Sequence, residues 1–180
     1  LAGIPYGMMV DPLNFWLSKS GVDRSTIGLL SLVFALYSFK ALWAPFVDRL
    51  QIPLLKTIGQ RKSWLLLSHV FILFFLVSIG QSDPNENLNW LVYFVIGVAF
   101  FSATQDICID ALRIEMVEER ELGQSAAVYQ MGWRVGGVWI SQVLGLLIGG
   151  IIGYSYAYTY VALIFLVLSL FVFFFVQEPK

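Results

Sequence analysis

Long apolar runs separated by short polar breaks make up most of the chain. The first spans residues 1–18, is interrupted by Asp11-Pro12, and ends at the polar turn Lys19-Ser20-Gly21-Val22-Asp23-Arg24. The second covers 25–47, beginning at Ser25, a residue type that caps helices, with Lys40 inside it. The third, 63–81, carries His69 as its one ionisable group, and the Pro and Asn content of 82–87 then marks a turn. The fourth occupies 88–111. From Val135 to Gln177 there is no charge. A single helix of that length would measure about 64 Å, roughly twice a bilayer core. The run therefore folds back, with Gly149-Gly150 and Gly153-Tyr154-Ser155 expected to supply the turn between spans at 123–148 and 157–176. Tyr154, Tyr156, Tyr158 and Tyr160 crowd that turn, as an interfacial aromatic belt does. The pattern predicts an all-α integral membrane protein with six transmembrane helices and basic loops at 48–62 and 112–122.

Composition agrees. Hydrophobic residues make up 58% of the chain and charged ones 13%, with mean hydropathy +0.77, too few charges to cover a soluble surface. The partner implied is the lipid bilayer. A net charge of -1 implies no nucleic-acid partner, and the single cysteine, Cys108, permits no internal disulfide. The chain begins at Leu1, inside an apolar run with no signal-peptide pattern, as a segment of a longer protein would. The loop after the second span carries Arg49, Lys56, Arg61 and Lys62, and the loop after the fourth carries Arg113 and Arg120. The opposite side has only Lys19 and Arg24. The positive-inside rule then puts both ends and the basic loops in the cytoplasm.

Charge inside the spans is uneven. Asp11, Lys40, Asp106, Asp110 and Arg134 fall in spans one, two, four and five, whereas span six has no ionisable group. In an arrangement of three helices plus an inverted three, spans one and four, two and five, and three and six share environments. Four helices would then surround an aqueous cavity and two would face lipid, a layout similar to one half of a major-facilitator transporter.

The stretch Ser102 to Arg113 concentrates the candidate chemistry. Asp106 and Asp110 stand four residues apart, on one helical face, with Arg113 on the same flank. Ionisable groups at such depth are costly and face a cavity, a partner or a conduction route. Asp106, the deeper, suits a proton carrier that senses substrate, and a structural acceptor for a neighbouring helix is its alternative. Asp110 suits coupling or an ion pair with Arg113 or Lys40. Gln105 suits a hydrogen bond to a sugar or peptide group, or an interhelical amide. Arg134, near mid-bilayer, needs an anion, either a substrate carboxylate or Asp106 or Asp11. Lys40 either snorkels to the cytoplasmic edge or serves the cavity. His69 and Cys108 read as packing. Gly132, Gly136, Gly137, Gly145 and Gly149 include small-xxx-small spacings that pack helices closely.

Asp48-Arg49 followed by Gly59-Gln60-Arg61-Lys62 resembles the cytoplasmic signature of the major facilitator superfamily, with 50–58 inserted and Ala44 in place of a glycine. Its role would be a charged latch in which Asp48 pairs with Arg113. The alternative is that the basic residues only anchor topology. A closer resemblance is to the AmpG-type muropeptide permeases. It is carried by Leu42-Trp43-Ala44-Pro45-Phe46-Val47-Asp48-Arg49, Arg61-Lys62-Ser63-Trp64, Ala103-Thr104-Gln105-Asp106-Ile107, Ile109-Asp110-Ala111, and Ala127-Val128-Tyr129 through Gly132-Trp133-Arg134. Gly3-Ile4-Pro5-Tyr6-Gly7 and Gly21-Val22-Asp23 also match, while Asp11-Pro12 departs from the small polar residues expected there. The eukaryotic acetyl-CoA transporters share part of this set, and Tyr129 and Arg134 favour the bacterial branch.

The resemblance implies the N-terminal half of a proton-coupled permease. It would import anhydromuropeptides across the bacterial inner membrane and, in such bacteria, feed β-lactamase induction. Its partners would be that substrate, protons, and a missing C-terminal half or a second six-helix chain, and it implies no cofactor or metal. Competing readings are an acetyl-CoA-type anion transporter, a non-transporting remnant or subunit, and two enzymes. One enzyme would be a phosphotransferase holding Mg²⁺ on Asp106 and Asp110, without an ordered array among Glu115, Glu118, Glu119 and Glu121. The other would be an intramembrane aspartyl protease, whose acids belong on facing helices rather than on one.

Overall fold

The computed structural model describes residues 1–53 and 58–176, all in helices and short connections. Lys56 of the basic loop and Gln177 lie outside the described residues. We number the helices α1 (Gly3–Lys19), α2 (Arg24–Leu42), α3 (Ala44–Arg49), α4 (Gln60–Gln81), α5 (Leu88–Met116), α6 (Glu119–Ile151) and α7 (Tyr154–Phe175). Five of these, α2 and α4 to α7, are long and apolar enough to cross a membrane. α1 has 17 residues and contains Pro12, and it is nonetheless the most deeply packed element. Ile4, Met8 and Leu17 have no exposed surface, and they join Ile72, Val98 and Phe165 in one core. The buried Tyr158 hydroxyl of α7 donates to the Met8 carbonyl at 2.9 Å.

Several boundaries differ from the sequence expectation, each for a local reason. The cap of α2 is Asp23, not Ser25. Its carboxylate accepts from the Thr26 N–H at 2.9 Å, the Thr26 hydroxyl at 2.7 Å and the Ser25 hydroxyl. These bonds, the Ser25 bond foremost, hold the Asp23 carboxyl down at about 2, below its ordinary 3.8. A depressed carboxylate contributes stability above its unfolded value and loses it as pH falls toward the folded one. Asp23→Ala is therefore expected to lower the thermal midpoint in detergent at pH 7, and the gap from wild type should close as pH falls from about 4 to about 2.

The second span is not one regular helix. α2 alternates α and 3-10 segments, Trp43 breaks it from α3, and its apolar window is only 6% buried. With little packing to hold it, the backbone has no strong preference for one helical pitch. α5 continues past Ala111 to Met116, because Leu112 packs with Val47 and Leu65. Gly149 and Gly150 stay helical, and the fold-back is made at Gly153, whose φ of 112° favours a residue without a side chain. The tyrosines beyond it split by helical face. Tyr154 and Tyr158 point into the bundle, while Tyr156 and Tyr160 are exposed. Only the second pair has the exposure an interfacial belt requires.

α1 and α6 touch backbone to backbone. A methyl group added at Gly7 would lie 2.2 Å from the Gly137 carbonyl oxygen, and one at Gly3 would lie 2.2 Å from that of Trp133. The Ser141 hydroxyl donates to the Ile4 carbonyl at 2.8 Å within this seam. Here α6 widens into a π-helix, Val135–Leu144. Of the small residues expected to pack helices, Gly136, Gly137 and Gly145 meet α1 and Gly149 meets Tyr154, whereas Gly132 faces open space.

Candidate functional site

Next to the α1–α6 seam lies a polar cavity of about 410 Å³. Three helices line it. α2 brings Lys40, α5 brings Asp106, Asp110 and Arg113, and α6 brings Ala126, Tyr129, Gln130 and Trp133. The α6 residues lie at positions i, i+3, i+4 and i+7, a single helical face.

Lys40 bridges the two carboxylates, with Nζ 3.7 Å from Asp106 Oδ2 and 3.5 Å from Asp110 Oδ2. The Asp106 side chain is 13% exposed and that of Asp110 41%, so Asp106 is the more desolvated. Tyr129 Oη donates to Asp106 Oδ1 at 3.2 Å. Arg113 stands 3.9 Å from Asp110 and lies over the Tyr129 ring at 5.8 Å. Two acids and two bases thus share one cavity, and their charges cancel when all four are ionised. Lys40 sits where a divalent cation would have to bind between the carboxylates, which argues against Mg²⁺ there.

Other candidates lie elsewhere. The expected pair of Arg134 with Asp106 or Asp11 is not formed. Arg134 is exposed on α6, next to Trp133 and outside the cavity, and Lys40 is the cation beside Asp106. Asp11 is half-buried on α1, in line with Gly3 and Gly7, and does not line the cavity. Gln105 is completely buried, and among the described residues neither its amide nitrogen nor its oxygen has a hydrogen-bond partner. His69 is buried edge-on to Phe165 at 5.4 Å, in keeping with a packing role.

The expected Asp48–Arg113 latch is also replaced. Asp48 lies 3.9 Å from Arg61 Nε, and Arg61 reaches Glu115 at 2.5 Å. Arg113 is drawn to Asp110 instead, because it sits one helical turn from it on α5. Lys62 is buried with its amine 5.6 Å from the Phe173 ring centroid, and Arg49 is exposed at the end of α3. The Trp43 indole N–H donates to the Thr104 hydroxyl at 3.1 Å, tying the α2–α3 junction to α5 just before Asp106. Sequence reasoning missed Glu115 as a latch partner and Trp133 as a cavity wall. The readable signal for Trp133 was its i+4 spacing from Tyr129.

The outer surface is apolar. Leu29, Phe74, Trp90, Phe171 and Phe174 are among the exposed large side chains, as suits a chain surrounded by lipid. With a charged cavity set among such helices, the class is a multi-pass membrane protein. The family model for the Major Facilitator Superfamily matches residues 4–180, and the chain belongs to that family. Its similar proteins include the anhydromuropeptide permease of Escherichia coli (strain K12), 34% identical over 135 residues, covering 75% of this chain and 27% of that protein. The putative transporter AmpG 4 of Rickettsia conorii is 31% identical over 174 residues, covering 96% of this chain and 42% of that protein. An uncharacterized protein of Haemophilus influenzae is 34% identical over 179 residues, covering 99% and 41%. The chain spans less than half the length of these relatives.

Proposed function

We propose that this chain forms the N-terminal six-helix half of a proton-coupled importer of anhydromuropeptides in the bacterial inner membrane, with α1 as the first span and both ends cytoplasmic. The observation that carries the reading is the Lys40 bridge between Asp106 and Asp110 inside a cavity built by α2, α5 and α6. A buried carboxylate held by a lysine and a tyrosine is a group that can gain and lose a proton during a transport cycle. When Asp106 is protonated, Lys40 and Arg113 are balanced by Asp110 alone, and the cavity turns positive. It then attracts an anionic solute such as one with a peptide stem bearing carboxylates. Proton loss from Asp106 restores the Lys40 bridge and expels the anion.

The sparse burial of α2 and the exposed Arg134 of α6 support a second half, or a second six-helix chain, covering these faces. A guanidinium on that surface needs an anion, and the solute's carboxylates supply one. The Asp48–Arg61–Glu115 cluster, with Arg49, Lys62 and Arg113 near it, would hold the cytoplasmic side shut.

The test is uptake of labelled anhydromuropeptide by permease-deficient cells expressing the full-length protein. Uptake that an ionophore abolishes supports the reading. No uptake, with the protein in the membrane, overturns it. Arg134→Ala is expected to impair uptake of the peptide-bearing solute more than that of the bare disaccharide. Equal loss for both would assign Arg134 to structure.

A further inference from the structure

Trp133 has a share in both the cavity and the packing behind it. It lines the same cavity as Gln130 and Asp110, and its ring centroid lies 5.4 Å from that of Tyr6 on α1. Tyr6 is in turn held by α2, at 5.1 Å from Phe34 and 5.2 Å, edge-on, from Tyr37. The Tyr6 ring of α1, itself backed by two rings of α2, therefore buttresses the indole. Its backbone is fixed as well, since the Trp133 carbonyl lies where any side chain at position 3 would stand, and glycine is the residue there. The charges in this cavity explain proton and anion binding. They give no reason for a rigid indole among ionic side chains.

We infer that Trp133 is a stacking platform for one pyranose ring of the solute, with Gln130 and the exposed carboxylate of Asp110 as partners for the ring's hydroxyls. A pyranose turns a face of C–H bonds, each slightly positive, toward the electron-rich face of an indole. Planar amide and carboxylate groups beside that face accept or donate to hydroxyls at its edge. The cavity supplies both kinds of group within one helical repeat of α6 and α5. This inference rests on the muropeptide reading and adds to it the residue of this half that would hold the sugar.

The experiment measures half-saturation for proton-driven uptake into proteoliposomes containing the full-length protein. The solutes are the anhydro-disaccharide, the same disaccharide bearing its peptide, and the free peptide. Trp133→Phe, which keeps a ring, is expected to stay within about twofold of wild type. Trp133→Leu should raise half-saturation for both sugar-bearing solutes about five- to tenfold. Equal values for the Leu and Phe variants would overturn stacking. If the Leu variant fails to insert, Trp133→Met and Trp133→Tyr make the same comparison, with the ring again deciding the result. Wild-type uptake of the free peptide as readily as of the sugar-bearing solutes would also overturn it. Uptake of none of the three by wild type would instead remove the muropeptide reading, and this inference with it.

Discussion

Asp106→Asn is expected to abolish proton-driven accumulation while leaving the protein inserted and able to exchange solute across the membrane. Asparagine matches the shape of a protonated aspartic acid, so it mimics one state of the cycle and forbids the other. The Lys40 bridge would then have Asp110 as its one remaining carboxylate, and the cavity would stay in its anion-attracting state. Solute could bind and move down its own gradient, with no proton to drive it uphill. Asp110→Asn is the matched control. Its side chain is the more exposed of the two, and Arg113 also neighbours it, so its loss should weaken uptake without removing the proton requirement. Normal accumulation by Asp106→Asn would remove Asp106 from the mechanism.

The second large effect is at the α1–α6 seam. Gly7→Leu is expected to cost about 3 kcal/mol or more, the upper range for overpacking. Its first side-chain carbon alone would stand 2.2 Å from the Gly137 carbonyl oxygen and 2.7 Å from Ser141 Cβ. The obstacle at Gly137 is backbone, which cannot move aside as a flexible side chain does, so the helices must separate. Separation would break the Ser141 bond to the Ile4 carbonyl and displace the α6 face that carries Tyr129 and Trp133. Gly123→Ala, with nothing near the added carbon, should be neutral or slightly stabilising, since alanine favours helix. Thermal midpoints in detergent make the comparison. Similar midpoints for the Gly7 and Gly123 variants would refute the tight seam.

What the sequence made legible was whatever one helix can state alone. The apolar runs mark the five membrane-length helices among the described residues. The spacing of Asp106 and Asp110 places both on one face, and both do line the cavity. What was not legible depended on how one helix turns relative to another. Arg134 lies a single residue from Trp133, yet it points out of the cavity that Trp133 lines. Arg61 takes both Asp48 and Glu115, a pairing that needs the ends of α3, α4 and α5 to meet. The fold-back was legible in part, since Gly153 makes the turn as expected while Gly149 and Gly150 stay helical. Ser25 was mistaken for the cap because Asp23, two residues earlier, outcompetes it by accepting from Ser25 itself.

The central claim is that solute and proton move together. Proteoliposomes containing the full-length protein and a pH-sensitive dye in the lumen test it directly. Adding anhydromuropeptide outside, with no imposed proton gradient, is expected to acidify the lumen as solute enters, and Asp106→Asn is expected to remove that signal. Solute entry with no change in lumenal pH would contradict proton coupling and leave the Lys40–Asp106–Asp110 cluster as a binding site alone.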